Sequence, residues 1–395
     1  MDKDLLKNQI MNMKHWLVSI RRDFHMHPEL GLEEYRTSDV IKKYLKEMNI
    51  EYETYEGQTA VVGIIYGKFP GKTVGIRADM DALPITEGNE VSYKSQKEGV
   101  MHACGHDAHV TMLLGAAKIL SNMQDELHGN IKLFFQPAEE TIGGADRMVK
   151  SGCMENPKVD YVIGLHVMPN HPCGIIETKY GALNGASDGI SITLKGKQAH
   201  GAYPDLGIDA IVIAGQVITA LQTIVSRNVS PLDSAVLTLG TINGGVKGNV
   251  IAHEVKIRGT LRTIDPATRA MVKERIKYIV ESVAKSFGGE GLVEIEEGYA
   301  ALINSSEVVE VIINTVKENF GESALVIKNK PSLGVEDFSY FIDSSKGAFY
   351  HLGCGNVEKN ITAPLHNSCF DIDEECLPLG VLTHTLITLN LLNKQ

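Results

Sequence analysis

The feature that most limits how this chain can fold is a self-contained run of elements in its middle. Between residues 186 and 298 the hydrophobic pattern reads strand, helix, strand, strand, helix, strand. GISITLKG alternates apolar residues as a half-buried strand does, and 209–226 is a long apolar helix. Strands at 235–241 and 250–262 follow, then an amphipathic helix over 266–287, opened by Asp265 and closed by Gly288-Gly289, and a last strand at 292–297. The order β-α-β-β-α-β is a complete ferredoxin-like α+β unit. A complete unit needs nothing from its flanks, so 186–298 is expected as a domain inserted into a second one made of 1–185 and 299–395.

The flanks carry a different rhythm. Helical spacing over 5–20, 37–48, 110–123 and 144–151 alternates with short β-branched runs at 59–66, 73–76, 130–135 and 161–166. This is the pattern of an α/β layered domain. A net charge of -11 argues against a nucleic-acid partner. No apolar run reaches the roughly 18 residues of a membrane span, and the start, MDKDLLKNQIMNMK, lacks the apolar core of a secretory signal. The expected location is the cytoplasm. The six cysteines are scattered, without the density of a disulfide scaffold. Five read as small, partly buried thiols; Cys104 stands apart because of its neighbours.

MHACGHDAH, Met101 to His109, puts Cys104 and three imidazoles (His102, His106, His109) into nine residues, with Asp107 among them. Thiolate and imidazole hold zinc, cobalt, nickel or manganese-like ions. Cys104 and His106, two apart on a loop that Gly105 lets turn tightly, can converge on one ion, with a helix expected from near His109. Further donors lie just past strand ends: Glu139-Glu140 in QPAEE, His166 in GLHVMP, and His366 in PLHNS. Active sites of open α/β sheets form at that edge. Paired carboxylates divide labour, one on metal and one free as acid and base; a surface Glu-Glu pair is the plainer alternative. Asp79 and Asp81 in RADMDALP are ligands or acceptors for a ligating imidazole, and Arg77 beside them favours the acceptor role. In the inserted segment, GKQAHGAYP presents His200, NGGVKGNV presents Asn249 and GTLRT presents Arg262. Arg and Asn suit a substrate carboxylate. An exposed loop histidine, a turn asparagine and a surface arginine are the bland readings of the same residues.

These motifs appear together and in order, with FHMHPELGLEE (Phe24 to Glu34), GVEDF and PLHNSCFDID. From about Leu17 to Asp373 the chain resembles the di-metal amidohydrolases of the aminoacylase and carboxypeptidase group. More narrowly it resembles the branch of N-acyl-amino-acid amidohydrolases, hippurate hydrolases, indoleacetyl-amino-acid hydrolases and N-acetyldiaminopimelate deacetylases. The resemblance implies a mixed-sheet α/β/α metallopeptidase-like catalytic domain with an inserted ferredoxin-like lid and dimerisation domain. It implies two divalent ions per subunit (Zn, Mn, Co or Ni) on Cys104, His106, Glu140, His166 and His366, with the Cys104 thiolate shared. It implies Glu139 as the catalytic carboxylate and Asp79 as a supporting acceptor. His200 is implied as an oxyanion-stabilising residue that reaches the partner subunit's site, and Asn249 and Arg262 as substrate-binding. The implied assembly is a homodimer or a dimer-based tetramer through the lid. The wider group carries His-x-Asp where this chain has Arg77-Ala78-Asp79, so one imidazole ligand is missing here.

The function so implied is metal-dependent hydrolysis of the amide bond of N-acyl amino acids, releasing a carboxylic acid and a free amino acid. A dipeptidase or carboxypeptidase using the same centre is the nearest alternative. A cysteine hydrolase with Cys104 as nucleophile and His106 as base, and a binding protein with a spent site, are the others.

Overall fold

The computed structural model describes Lys3 to Lys394, which divide into two compact units. The first runs up to Leu183 and takes in Ile303–Lys330 and Asp337 onward; the second is Asn184–Leu302 with Pro331–Glu336. The main boundaries fall within a few residues of 186 and 298. The capture of Pro331–Glu336 by the second unit has no local pattern behind it. It rests on backbone pairing, with Gly185 N–H donating to Gly334 O at 3.0 Å and Asn184 bridging Ser332.

In chain order the first unit begins with α1 (Lys3–Asn12), α2 (Lys14–Met26), α3 (Tyr35–Glu47), β1 (Glu51–Thr54), β2 (Val61–Tyr66), β3 (Phe69–Asp79), α4 (His106–Ser121), β4 (His128–Gln136), α5 (Gly144–Lys150), β5 (Tyr161–Pro172), β6 (Ile176–Thr178) and β7 (Gly181–Asn184). The second unit supplies β8 (Ala186–Lys195), α6 (Ala210–Arg227), β9 (Ala235–Gly244), β10 (Glu254–Thr263), α7 (Pro266–Ser286) and β11 (Glu290–Glu297). The chain returns through β12 (Leu302–Asn304), α8 (Ser306–Phe320), β13 (Leu325–Ile327), α9 (Ser339–Ser344), β14 (Lys346–Gly355) and α10 (Cys376–Leu392). The single helix expected over 5–20 is two, broken at Met13, and the second runs on to Met26.

The first unit is built on a mixed eight-stranded sheet in the order β1-β2-β4-β3-β5-β14-β6-β13. Alternation along β4 divides its side chains between the two faces. Ile131, Leu133 and Phe135 join the main core with α4 and α10, whereas Phe134 stacks on Phe341 of α9 with ring centroids 5.1 Å apart. Helices therefore cover both faces. α4 is buried at every position except Lys118 and Ser121, as a helix wedged inside a layer must be.

The central strands β4, β3, β5 and β14 are parallel, so they end at one edge. Register pairs Asp79 with Gln136 and Arg77 with Gly164. Two residues beyond Gly164, His166 stands level with Asp79, and Glu139-Glu140 follow β4 at the same edge.

The second unit is antiparallel throughout, in the order β11-β8-β10-β9. Asp209 caps α6 by accepting from Ile211 N and Val212 N, and Asp265 caps α7 by accepting from Thr268 N. β10 starts at Glu254 rather than Val250, because 250–253 belong to the loop packed on the His200 segment. α6 has 18 residues and a mean hydropathy of 1.4, long and apolar enough to cross a membrane by that measure. Within its unit Ile213, Val217, Leu221 and Ile224 face the sheet and α7, while Ile211, Val212 and Val225 are exposed.

Candidate metal centre

The helix after the cysteine loop starts earlier than its sequence suggests. α4 begins at His106, with Gly105 before it at φ +86. A Cβ on Gly105 would lie 2.3 Å from Val167 Cγ2, so the loop closes against β5 only with glycine there. Cys104 thus sits on the loop and His106 on the first turn of the helix. The Cys104 sulfur lies 3.3 Å from His166 Nε2, midway along β5, which runs on to Pro172 rather than ending at His166 as the sequence suggests. His166 Nδ1 is engaged with Val167 O at 2.7 Å, which turns Nε2 toward the sulfur.

The donor atoms fall into two overlapping sets. Those of Cys104, His106 and His166 lie within 4.8 Å of one another, as do those of Cys104, Glu140 and His366. Glu139 joins His106 and Glu140 in a third such group. All five expected ligands and the expected acid are therefore together, with Cys104 common to both main sets. His366, at φ +61, approaches Glu140 Oε1 to 3.0 Å. Apart from such ion-pair contacts, Glu140 Oε1 and His106 Nε2 are both buried without a hydrogen-bond partner among the described residues. Buried polar atoms left unpaired are costly. A thiol, imidazoles and carboxylates aimed at one space are what a pair of borderline divalent cations requires, so the residues fit such ions.

The electrostatics agree. Burial depresses the His106 imidazole, but Asp79, Asp81 and Glu140 outweigh it and push the ring up to about 10. Burial, then Glu140 and Glu139, hold the Cys104 thiol well above its ordinary range. Negative groups thus outnumber local positive ones, and a cation among them reverses the thiol's preference. The same facts weigh against a Cys104–His106 nucleophile pair. The sulfur contacts the His166 ring at 3.3 Å, and the surroundings oppose a free thiolate.

Of the two carboxylates expected as acceptors, Asp81 meets His106 Nδ1 at 3.2 Å. The other oxygen of Asp81 accepts from Glu140 N at 3.0 Å, so one carboxylate holds two ligands. Asp79 instead accepts from His109 Nδ1 at 2.6 Å, while His109 Nε2 accepts from Val167 N at 2.9 Å. Both nitrogens of His109 are thus engaged, one with the end of β3 and one with β5. Arg77 is buried and donates to Asp79, Gln136 and Asp337. Behind α4, buried Arg21 and His25 both contact Asp107 Oδ2, at 2.8 and 2.7 Å. Long-range pairing alone reveals these partners, and no sequence spacing marks them.

In the second unit His200 is exposed on the loop after β8. Its Nδ1 accepts from Ala202 N at 3.0 Å, so the proton of the neutral ring sits on Nε2. Asn249 lies beside it, its carbonyl accepting from Gly201 N at 2.9 Å. Arg262 does not join them. Glu254, at the His200 end of β10, pairs with Lys195, while Arg262 pairs with Ser187. The eight extended residue steps from Glu254 to Arg262 span roughly 26 Å. Within one chain Asn249 and Arg262 therefore stand at opposite ends of β10.

Residues 75–390 match the model of Peptidase family M20/M25/M40. The chain is 39% identical over 393 residues to "Thermostable carboxypeptidase 2" of Saccharolobus solfataricus, covering 98% of each. It is 41% identical over 369 residues to N-acetyl-L-cysteine deacetylase of Bacillus subtilis, covering 93% of this chain and 86% of that one. Among solved structures, a Bacillus subtilis protein described as a dinuclear metal binding peptidase superposes with a TM-score of 0.84 at 29% identity, covering 98% of this chain and 100% of that one.

Proposed function

The chain belongs to peptidase family M20/M25/M40, and from that premise we propose that it hydrolyses the amide bond of N-acyl amino acids to a carboxylic acid and a free amino acid. The observation that carries this is the pair of donor sets sharing Cys104, with Glu139 beside them. Cys104, His106, Glu140, His166 and His366 hold two divalent ions, for which Zn, Mn, Co and Ni are the candidates. When bound, such ions supply Lewis acidity and lower the pKa of water toward 7. Glu139 takes the proton of the water that attacks the acyl carbon and returns it to the departing amine nitrogen. His200 donates from Nε2 to the carbonyl oxygen as that atom gains charge.

Arg262 and Asn249 are the candidates for the amino-acid carboxylate. Their separation along β10 favours a site completed by two subunits, one giving Arg262 and the other His200 with Asn249. The edge strand β9 and the exposed Ile211, Val212 and Val225 of α6 supply surface for that dimer. Six free cysteines suit a reducing compartment, in keeping with a cytoplasmic enzyme.

The carboxypeptidase relative keeps a second reading alive, cleavage of a peptide bond by the same centre. A panel of N-acetyl, N-benzoyl and indoleacetyl amino acids set against dipeptides decides between them. The expected result is a kcat/KM for the best acyl substrate at least about tenfold above that for any dipeptide, a difference of about 1.4 kcal/mol. The reverse order contradicts the reading.

A further inference from the structure

The segment FHMHPELGLEE, Phe24 to Glu34, takes no part in the chemistry above, yet it carries a carboxylate with no exposed surface. Glu29 serves α3, accepting from Arg36 N and Thr37 N at 3.0 and 2.8 Å. Glu34 is different. It is fully buried (0%), and its carboxylate is divided between two neutral donors. Oε1 accepts the Ala138 N–H at 2.8 Å, and Oε2 accepts the Thr59 hydroxyl at 2.6 Å. Burying a carboxylate this way is unfavourable unless the bonds it makes are needed.

Ala138 is the residue before Glu139, and it stands at φ +57, in the left-handed region that alanine avoids. Such a conformation persists only where its surroundings over-determine it. Here they do. Gly143 N and Gly144 N both donate to Ala138 O, at 3.2 and 3.3 Å. Gly31, from the same segment as Glu34, closes the other side: a Cβ there would come within 3.1 Å of Ala138 Cα. The donor of Ala138 is held by Glu34, its acceptor by the glycine pair, and its side by Gly31. The backbone direction fixed at this residue is the direction in which Glu139 and Glu140 leave β4.

We propose that Glu34 is a positioning residue for the paired carboxylates: by gripping the Ala138 N–H it locks the left-handed turn that aims Glu139 and Glu140. It exchanges no proton with substrate and acts through the backbone. The inference rests on the amidohydrolase reading for its kinetic readout, and stands free of it for its structural one.

The test uses Glu34→Gln, Glu34→Asp and Glu34→Asp combined with Ala138→Gly in the full chain. Glutamine loses the charge but keeps an oxygen at the same reach; aspartate keeps the charge but falls short by one methylene. Kinetics with N-acetyl-methionine and amide hydrogen exchange over residues 137–141 are measured on each. Glu34→Gln is expected within about threefold of wild-type kcat, and Glu34→Asp about 10- to 100-fold below it with KM changed far less. The Ala138 amide stays protected in the glutamine variant and becomes exposed in the aspartate one. Glycine accepts φ +57 freely, so adding Ala138→Gly raises the kcat of Glu34→Asp, a recovery that a merely structural role does not predict. Equal kcat values for glutamine and aspartate, the reverse order, or equal protection of Ala138 in both overturns the proposal. If the wild-type protein hydrolyses no acyl amino acid, the functional reading fails, and the exchange measurement still decides the role of Glu34.

Discussion

The Cys104 sulfur stands 3.3 Å from His166 Nε2, across the gap between the loop that opens α4 and the middle of β5. That pairing locates the sulfur where two sets of donors overlap. Cys104 belongs both to the set with His106 and His166 and to the set with Glu140 and His366.

Asp81 holds His106 by its ring nitrogen and Glu140 by its backbone. Asp81→Ala releases two proposed ligands at once. The expected effect is a loss of about 10- to 100-fold in zinc affinity or in activity, read by competition with a chromophoric chelator and by turnover. Asp79→Asn acts on His109 instead and is expected to weaken zinc less. The opposite order of the two variants contradicts the assignment.

Glu139 is proposed to move a proton and not to hold metal. Glu139→Gln keeps its ions and loses about 10²- to 10⁴-fold in kcat. His200→Ala is expected to be similarly impaired, by about 10²- to 10³-fold. Mixing the two inactive proteins partly restores activity if His200 serves the neighbouring subunit's site. Heterodimers shown by mass spectrometry to form, yet without activity, remove the shared-site model.

Glu177 gives a stability test outside the proposed ligand set. It accepts from His351 Nδ1 at 2.7 Å, with His171 at 3.3 Å and Lys328 at 3.4 Å. The His351 hydrogen bond, aided by the neighbouring charges of Lys328 and His171, outweighs burial and holds its carboxyl at about 2, against an ordinary 4.5. Burial also holds the His351 ring below its usual value. With folded-state values depressed, the unfolded chain binds more protons as pH falls. The Glu177 contribution is therefore full above about pH 4.5 and lost toward about pH 2. Wild type is expected to melt higher than Glu177→Gln near neutrality, with the gap in Tm closing as pH drops through that window. A gap that stays constant in calorimetry contradicts the linkage.

The sequence made local things legible. A strand end announces Glu139 and Glu140, because a β-branched run followed by a polar pair is read over a few residues, whereas His166 lies midway along β5, which runs on to Pro172. The β-α-β-β-α-β order of the second unit comes from the same kind of pattern, with Asp265 opening its second helix. The start of α4 was misplaced because Gly105 opens it in a left-handed conformation, without a capping side chain. What a residue touches across the sheet was not legible. Asp79 and Asp81 are chemically alike and two apart, and only the fold sends one to His109 and the other to His106. Asn249 and Arg262 looked like partners until register put most of a strand between them.

The central claim is that two ions share the Cys104 sulfur, and anomalous diffraction from crystals grown with zinc tests it most directly. The account predicts two peaks about 3.5–4 Å apart, both in contact with that sulfur, one also meeting His106 and His166 and the other Glu140 and His366. No peak at Cys104, or a single ion bound away from it, would contradict the account.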